Sequence, residues 1–320
     1  MIDPIIFSIN LGFTQLTVRW YGVLIVLGVL AGAFYAAWYV KRKGEDPNII
    51  WDLLIWLLIF GIIGARLWYV INEIIGGRTR YLDDPIRILY INEGGLNILG
   101  GVVIGTIVAW IYTKRNNIDF WLIADAIGPA YLIGQAIGRW GNFINQELYG
   151  PPTTLPWGIP ISAEHRIPPW NDLALYPLET TRFHPTFAYE MIWNLVMAGI
   201  LIYLVVKHGD RIRTGVIAGL TLIAAGVGRA WIEIYFRPDQ PRFFGTPVST
   251  SLLLSIGFAL IGVFIVLVKM GKISVPFMKP GSTEYSKRIT RRPPAPRKTR
   301  PAFAPVSAPS RTASTPFTNT

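Results

Sequence analysis

IADAIGPAYLIGQAIGRWGNFINQELYG, residues 123–150, is apolar for fifteen residues and then turns abruptly polar. Arg139, Asn142, Asn145, Gln146 and Glu147 fall within nine positions. The apolar half belongs to a run long enough to cross a bilayer, which takes roughly 20 residues of helix. The polar half sits at the end of that run. The stretch therefore reads as a membrane helix that delivers a cluster of donors and acceptors to the membrane–water boundary.

Similar apolar runs occur along the chain, and the expected spans are 20–40, 50–72, 96–113, 119–137, 186–206, 214–235 and 248–268. Helices are expected because hydrocarbon cannot satisfy an open backbone. Of the 320 residues 52% are hydrophobic and 15% charged, against roughly a quarter charged in soluble domains. The expectation is an all-α polytopic membrane protein with about seven transmembrane helices.

Lys and Arg positions set the orientation. Nineteen lie on the side holding Lys41–Lys43, Lys114, Arg115, Lys207, Arg211, Arg213 and the tail, and eight on the other. The amino terminus is expected outside and the carboxy terminus in the cytoplasm. No basic region precedes the first span, which argues against a cleavable signal. Residues 3–18 suit a short interfacial segment. The expected division is a transmembrane catalytic domain over 1–272 and a disordered basic Pro/Ser/Thr-rich tail over 273–320. That tail, drawn to anionic lipid, accounts for much of the net charge of +11 without nucleic acid. The 148–185 loop, rich in Pro and Trp, is expected to be irregular and packed at the interface.

No cysteine is present and the three histidines lie far apart, so disulfides, thiolate metal sites and cysteine nucleophiles of the chain's own are excluded and no metal or cofactor is expected. Chemistry must come from polar residues in apolar context, each costing about 2.5–3.5 kcal/mol at mid-membrane on insertion scales. Arg229 and Glu233 are four apart and share a helix face; they either neutralise each other or line a cavity. Arg66 follows Gly61 and Gly64 and either bridges helices or serves a site. Tyr21, near the outer end of the first span, reads by itself as an interfacial anchor. His184-Pro185 marks the start of the fifth span, with Glu190 beyond Thr186. On a helix, Arg139, Asn142 and Gln146 share one face. A guanidinium fork fits phosphate bidentately, so the cluster suits a phospholipid headgroup. A transporter path or a non-catalytic lipid-binding protein would use similar residues, but no internal repeat of the transporter kind is evident.

GRWGNFINQELYG (138–150) also resembles the signature of bacterial prolipoprotein diacylglyceryl transferases, a Gly-Arg-x-Gly-Asn-Phe-x-Asn-x-Glu-x-x-Gly pattern. RWYG (19–22), GARLWYV (64–70), EGGLNILGG (93–101), HPTFAYE (184–190) and GRAWIEIYFRPD (228–239) occur in the same order as in that family. The resemblance covers about residues 5–270. It implies a seven-span enzyme of the bacterial plasma (inner) membrane, acting on phosphatidylglycerol and on preprolipoprotein signal peptides with a lipobox cysteine. Diacylglyceryl would pass to the cysteine thiol, giving a thioether and releasing glycerol phosphate. Carried over residue by residue, it implies catalytic roles for Arg139, Arg229, Glu147, Glu233 and Tyr21. Lipid binding would fall to Arg139, Asn142, Asn145, Gly150 and Arg66. One position departs: where the family pattern has a His before Gly-Gly, proposed there as a general base, this chain has Leu99.

Overall fold

The computed structural model describes residues 2–10, 12, 15–90, 94–237, 246 and 248–283. Seven helices are long and apolar enough to cross a membrane. They are α1 (Trp20–Arg42), α2 (Asn48–Ile75), α4 (Ile98–Arg115), α5 (Phe120–Ile144), α6 (Thr186–His208), α7 (Val216–Phe236) and α8 (Thr250–Lys269). A four-residue helix, α3 (Arg80–Asp83), and a 3₁₀ turn (Pro85–Leu89) lie between α2 and α4. All seven expected spans are present. The largest difference in extent is α5, which continues seven residues past the expected 137 and carries the polar motif on its last turns. Backbone hydrogen bonding holds the helix together there despite the polar side chains.

The amino-terminal segment departs from an all-helical chain. IIFSIN (β1, Ile5–Asn10) pairs antiparallel with QLTVR (β2, Gln15–Arg19). Isoleucine, phenylalanine, threonine and valine favour the pleated conformation. The hairpin is tied to the bundle where Trp20 N donates to Pro4 O at 3.1 Å.

Lipid offers no hydrophobic drive between helices, so close packing of small residues must hold them together. α2 and α4 meet at Gly64 and Gly100, where an added Cβ on Gly100 would lie 2.3 Å from Gly64 O. α7 and α8 meet at Gly219 and Gly262, where a Cβ on Gly219 would lie 2.9 Å from Gly262 O. α1 and α5 approach as closely at Gly28 and Gly134. The buried core of α1, α2, α5 and α7 is correspondingly rich in alanine, among it Ala33, Ala36, Ala37 and Ala126. Large apolar side chains such as Phe34 and Leu260 face outward, as a lipid-contacting surface requires.

At the end of the bundle opposite the polar motif, polar groups join the helices. Buried Asp125 on α5 accepts Gly215 N and Ala218 N, each at 2.7 Å, and so caps α7 from a neighbouring helix. Cations there sit on the terminal carbonyls of other helices. Arg42 Nη2 donates to Val206 O at 2.9 Å and Lys43 Nζ to Gly209 O at 2.5 Å. Arg213 Nη1 donates to Met270 O at 2.9 Å. Residues 273–283 continue past α8 and return to α7, with Thr214 N donating to Ser282 O at 3.2 Å. The rest of the expected tail, 284–320, lies outside the described residues.

Candidate functional site

Arg139 and Asn142 stand three apart on the last turns of α5, as their spacing predicts. The helix then ends in a Schellman turn: Glu147 N donates to Asn142 O at 2.9 Å and Gln146 N to Phe143 O at 3.1 Å. Gln146 takes the left-handed position, at φ 52°, which costs about 1–2 kcal/mol for a residue with a Cβ. Its side chain has a task there, since Gln146 Oε1 accepts Ser162 N at 2.8 Å. The reversal swings Glu147 back over the helix end. Asn142 Nδ2 then donates to Glu147 Oε1 at 2.7 Å, with Asn145 Nδ2 at 3.4 Å from the same oxygen. Arg139 Nη1 donates to Asn142 Oδ1 at 3.1 Å.

α6 begins beside this turn because Thr186 Oγ1 donates to Leu148 O, and Phe187 N reaches the same oxygen at 3.2 Å. One turn on, Glu190 enters the cluster. Its Oε2 forms an ion pair with Arg139 Nη2, and its Oε1 accepts Arg229 Nη1 at 2.8 Å. Arg229 Nη2 in turn donates to Glu233 Oε2 at 2.9 Å, as the four-residue spacing predicts. Glu233 Oε1 accepts Ser249 Oγ at 2.7 Å, while Ser249 Oγ accepts Leu252 N at 3.0 Å and caps α8. A continuous chain of bonds thus runs from Glu147 through Arg139, Glu190 and Arg229 to Ser249, joining the ends of four helices.

Exposure within the chain is uneven. The Glu190 and Glu233 side chains are 8% and 3% exposed, those of Arg139 and Arg229 16% and 27%. The carboxylates lie behind the guanidiniums, and the open edge is cationic. Each arginine has five N–H donors and spends two of them on these partners. Among the described residues, Arg139 Nε is buried with no acceptor. A polar row continues along α5 and α6, where Asn194 Nδ2 donates to Gln135 Oε1 at 2.9 Å and Gln135 Nε2 to Tyr131 OH at 3.1 Å.

Tyr21 reaches the motif by packing: a Cβ on Gly141 would lie 2.2 Å from its ring. Among the described residues its hydroxyl has no hydrogen-bond partner. Gly150 N donates to His184 O at 2.8 Å, and a side chain at Gly150 would strike Thr186. His184 itself is turned to the aromatic side chains, with Nδ1 3.0 Å from Tyr189 OH and its ring against Phe236. Burial pulls its pKa below the usual histidine value. Outward of this point the 148–185 loop has a small core of its own, made by Tyr149, Ile161, Trp170 and Phe183.

Arg66 does not join the cluster. It is buried, and all five of its donors go to carbonyls of the segment before α4: Arg87, Ile88, Tyr90, Gly94 and Gly95, at 2.6–3.2 Å. Of the two readings of Arg66, the structural one matches its bonds, and no donor is left for a phosphate. Leu99 sits in the first turn of α4 after the Asn97 cap. Glu93 and residues 238–239 of the sequence motifs lie outside the described residues.

Sequence reasoning under-weighted Glu190 and missed Ser249 as a partner. Thr186, Glu190 and Asn194 recur every four residues and are all buried, so a polar stripe within an apolar helix was the available signal. Nothing in the sequence near Ser249 marks its bond to Glu233.

Comparison with known proteins shows the family. The sequence profile of the family described as "Prolipoprotein diacylglyceryl transferase" matches residues 4–268. A phosphatidylglycerol–prolipoprotein diacylglyceryl transferase of Chloroflexus aggregans is 40% identical over 238 residues, covering 72% of this chain and 76% of its own. Proteins of the same name from Trichormus variabilis and Synechocystis are 40% and 39% identical over 221 and 236 residues. They cover 68% and 72% of this chain and 74% and 77% of their own lengths. With that match over residues 4–268, relatives about 40% identical and seven apolar helices, the chain belongs to the prolipoprotein diacylglyceryl transferase family.

Proposed function

We infer that this chain transfers the diacylglyceryl group of phosphatidylglycerol to the lipobox cysteine thiol of preprolipoproteins, at the cluster around Arg139 and Arg229. One observation carries the assignment to that site. Two guanidiniums from different helices converge on a single carboxylate, and each keeps N–H donors beyond those given to described residues. Such an arrangement suits one further anion with several acceptor oxygens, a phosphate.

In this reading the phosphodiester lies against Arg139 and Arg229, and Asn142 holds the Arg139 fork in its plane. The substrate thiol loses its proton and attacks the terminal glycerol carbon of the diacylglyceryl group. The carbon–sulfur bond forms, the carbon–oxygen bond to phosphate breaks, and glycerol phosphate departs with one more negative charge than the diester carried. Guanidiniums aimed at that phosphate therefore favour the transition state over the ground state. Glu190 and Glu233 are held by arginines and act as positioning residues. Glu147 accepts only from neutral amides and forms no ion pair with a described residue, so it is the carboxylate best suited to take the thiol proton where Leu99 offers none. Tyr21, with its hydroxyl unengaged, lines the approach to Gly141.

The site end of the helices then faces outward, as the charge distribution suggests, and the protein is a multi-pass component of the bacterial plasma membrane. The transferase unit is 1–272, with the basic tail on the inner side. The test is purified protein with phosphatidylglycerol and a lipobox peptide, read as a mass gain on the peptide. The gain must vanish when the peptide cysteine is replaced by serine. No gain with wild-type protein refutes the reading.

A further inference from the structure

The loop between α5 and α6 holds a cavity of about 450 Å³. Thr153 and Thr154 form one wall, and Tyr176, Thr180, Thr181 and Arg182 the other. The walls are joined directly, Thr153 N donating to Arg182 O at 2.8 Å. The Arg182 guanidinium spends one donor, from Nη1 to Thr181 O at 3.2 Å. Its Nε and Nη2 meet no acceptor among the described residues, and no carboxylate pairs with it there. The hydroxyls of Thr154, Thr180 and Thr181 are likewise without described partners. Arg166, close by, is buried; its Nε donates to Ile161 O and its Nη1 to Tyr176 O, while its Nη2 meets no acceptor among the described residues.

This cavity is connected to the candidate site. Gly150 N donates to His184 O, His184 N to Pro151 O at 3.1 Å, and Thr153 N to Arg182 O, so the two chain segments form a short ribbon. Its first rung is Gly150, beside the Schellman turn. Three residues of extended chain span about 10 Å, which sets the cavity that far outward.

We propose that the cavity is a glycerol-phosphate subsite, with Arg182 taking the phosphate and the threonine hydroxyls the glycerol hydroxyls. An unpaired guanidinium within a ring of hydroxyls matches a small polyol carrying one anionic group. The proposal rests on the transferase reading, in which two species have this chemistry: the glycerol phosphate released by transfer and the headgroup of intact phosphatidylglycerol.

The test is binding without turnover. The full chain is placed in phosphatidylcholine nanodiscs, with Arg229→Lys throughout to weaken the intramembrane site, and titrated with racemic glycerol 1-phosphate by ligand-detected NMR. Adding Arg182→Gln should weaken binding on the order of tenfold, the loss of one charge-assisted contact. Thr180→Val, which removes a hydroxyl and no charge, should weaken it less; it also provides the comparison if the melting temperature shows Arg182→Gln misfolded. Phosphatidylglycerol in the disc should compete with the soluble ligand if the headgroup is the occupant, and should leave binding unchanged if the free product is. Either result supports a glycerol-phosphate subsite. Binding that both variants leave unchanged overturns it. So does inorganic phosphate binding as tightly as glycerol phosphate. Because no turnover is needed, failure here is separable from a wild-type protein that transfers no lipid.

Discussion

Arg229→Lys isolates what the guanidinium shape contributes. Arg229 reaches Glu190 with Nη1 at 2.8 Å and Glu233 with Nη2 at 2.9 Å, and still offers donors along its open edge. An ammonium keeps the charge but presents its donors from a single point. It cannot serve two carboxylates and a phosphate together, so at least one charge-assisted bond is lost, worth about 1.5–3 kcal/mol. At 1.36 kcal/mol per decade, kcat/KM should fall roughly 10- to 150-fold. The alanine variant is a poorer test. It leaves the buried Glu233 carboxylate with Ser249 alone, and breaking a buried pair costs about 3–5 kcal/mol of stability, so folding and chemistry would fall together. The assay is transfer to a lipobox peptide in nanodiscs, with the melting temperature measured in parallel. A folded lysine variant that transfers at the wild-type rate would refute the claim that the fork matters.

Arg139→Ala should abolish transfer while the protein remains in the membrane fraction, and retained transfer would remove Arg139 from the mechanism. Glu147→Gln should lower the rate about 10²- to 10⁴-fold, the range for loss of a general base. Raising the pH through the thiol's own pKa, about 8.5, should then recover much of it; a pH-independent loss would assign Glu147 to positioning alone. His184, held below the usual histidine pKa by burial, is preferred neutral in the fold. Its contribution to stability is therefore intact above about pH 6.5 and lost progressively as the pH falls toward its lowered folded value. Melting temperatures between neutral and acidic pH should be flatter for His184→Gln. Arg66→Ala leaves five carbonyls without their donor; proteolysis between residues 85 and 95 should accelerate, and an unchanged rate would deny Arg66 its structural role.

The helices were legible because a bilayer leaves the chain few alternatives, and long apolar runs have one reading. The apolar run marks only the span 119–137, whereas the helix continues on its backbone bonds through Arg139 and Asn142 to Ile144; Gln146, expected on the same helix face, lies just past its end. The hairpin over residues 5–19 was missed because two short strands carry little periodicity. Of the site, Arg139, Asn142, Glu147, Arg229 and Glu233 were legible from motif and spacing, and the structure brings them into one network. Glu190 is the link that joins the two arginines, and its role depends on α6 lying between α5 and α7, a fact of packing. Arg66 illustrates the converse: a cation in an apolar helix marks a cost that must be met, and here backbone carbonyls meet it.

Arg42, Lys43 and Arg213 carry two kinds of information. In the sequence they belong to the Lys/Arg bias from which an orientation is expected. Once the bundle closes, the same cations rest on the final carbonyls of α6 and α8, and Lys43 is then almost wholly removed from water. A helix threaded in the wrong direction would carry its cations to the far leaflet and leave those carbonyls bare. Fastening the ends in this way requires these three cations to lie on the same side of the bundle as the ends of α6 and α8.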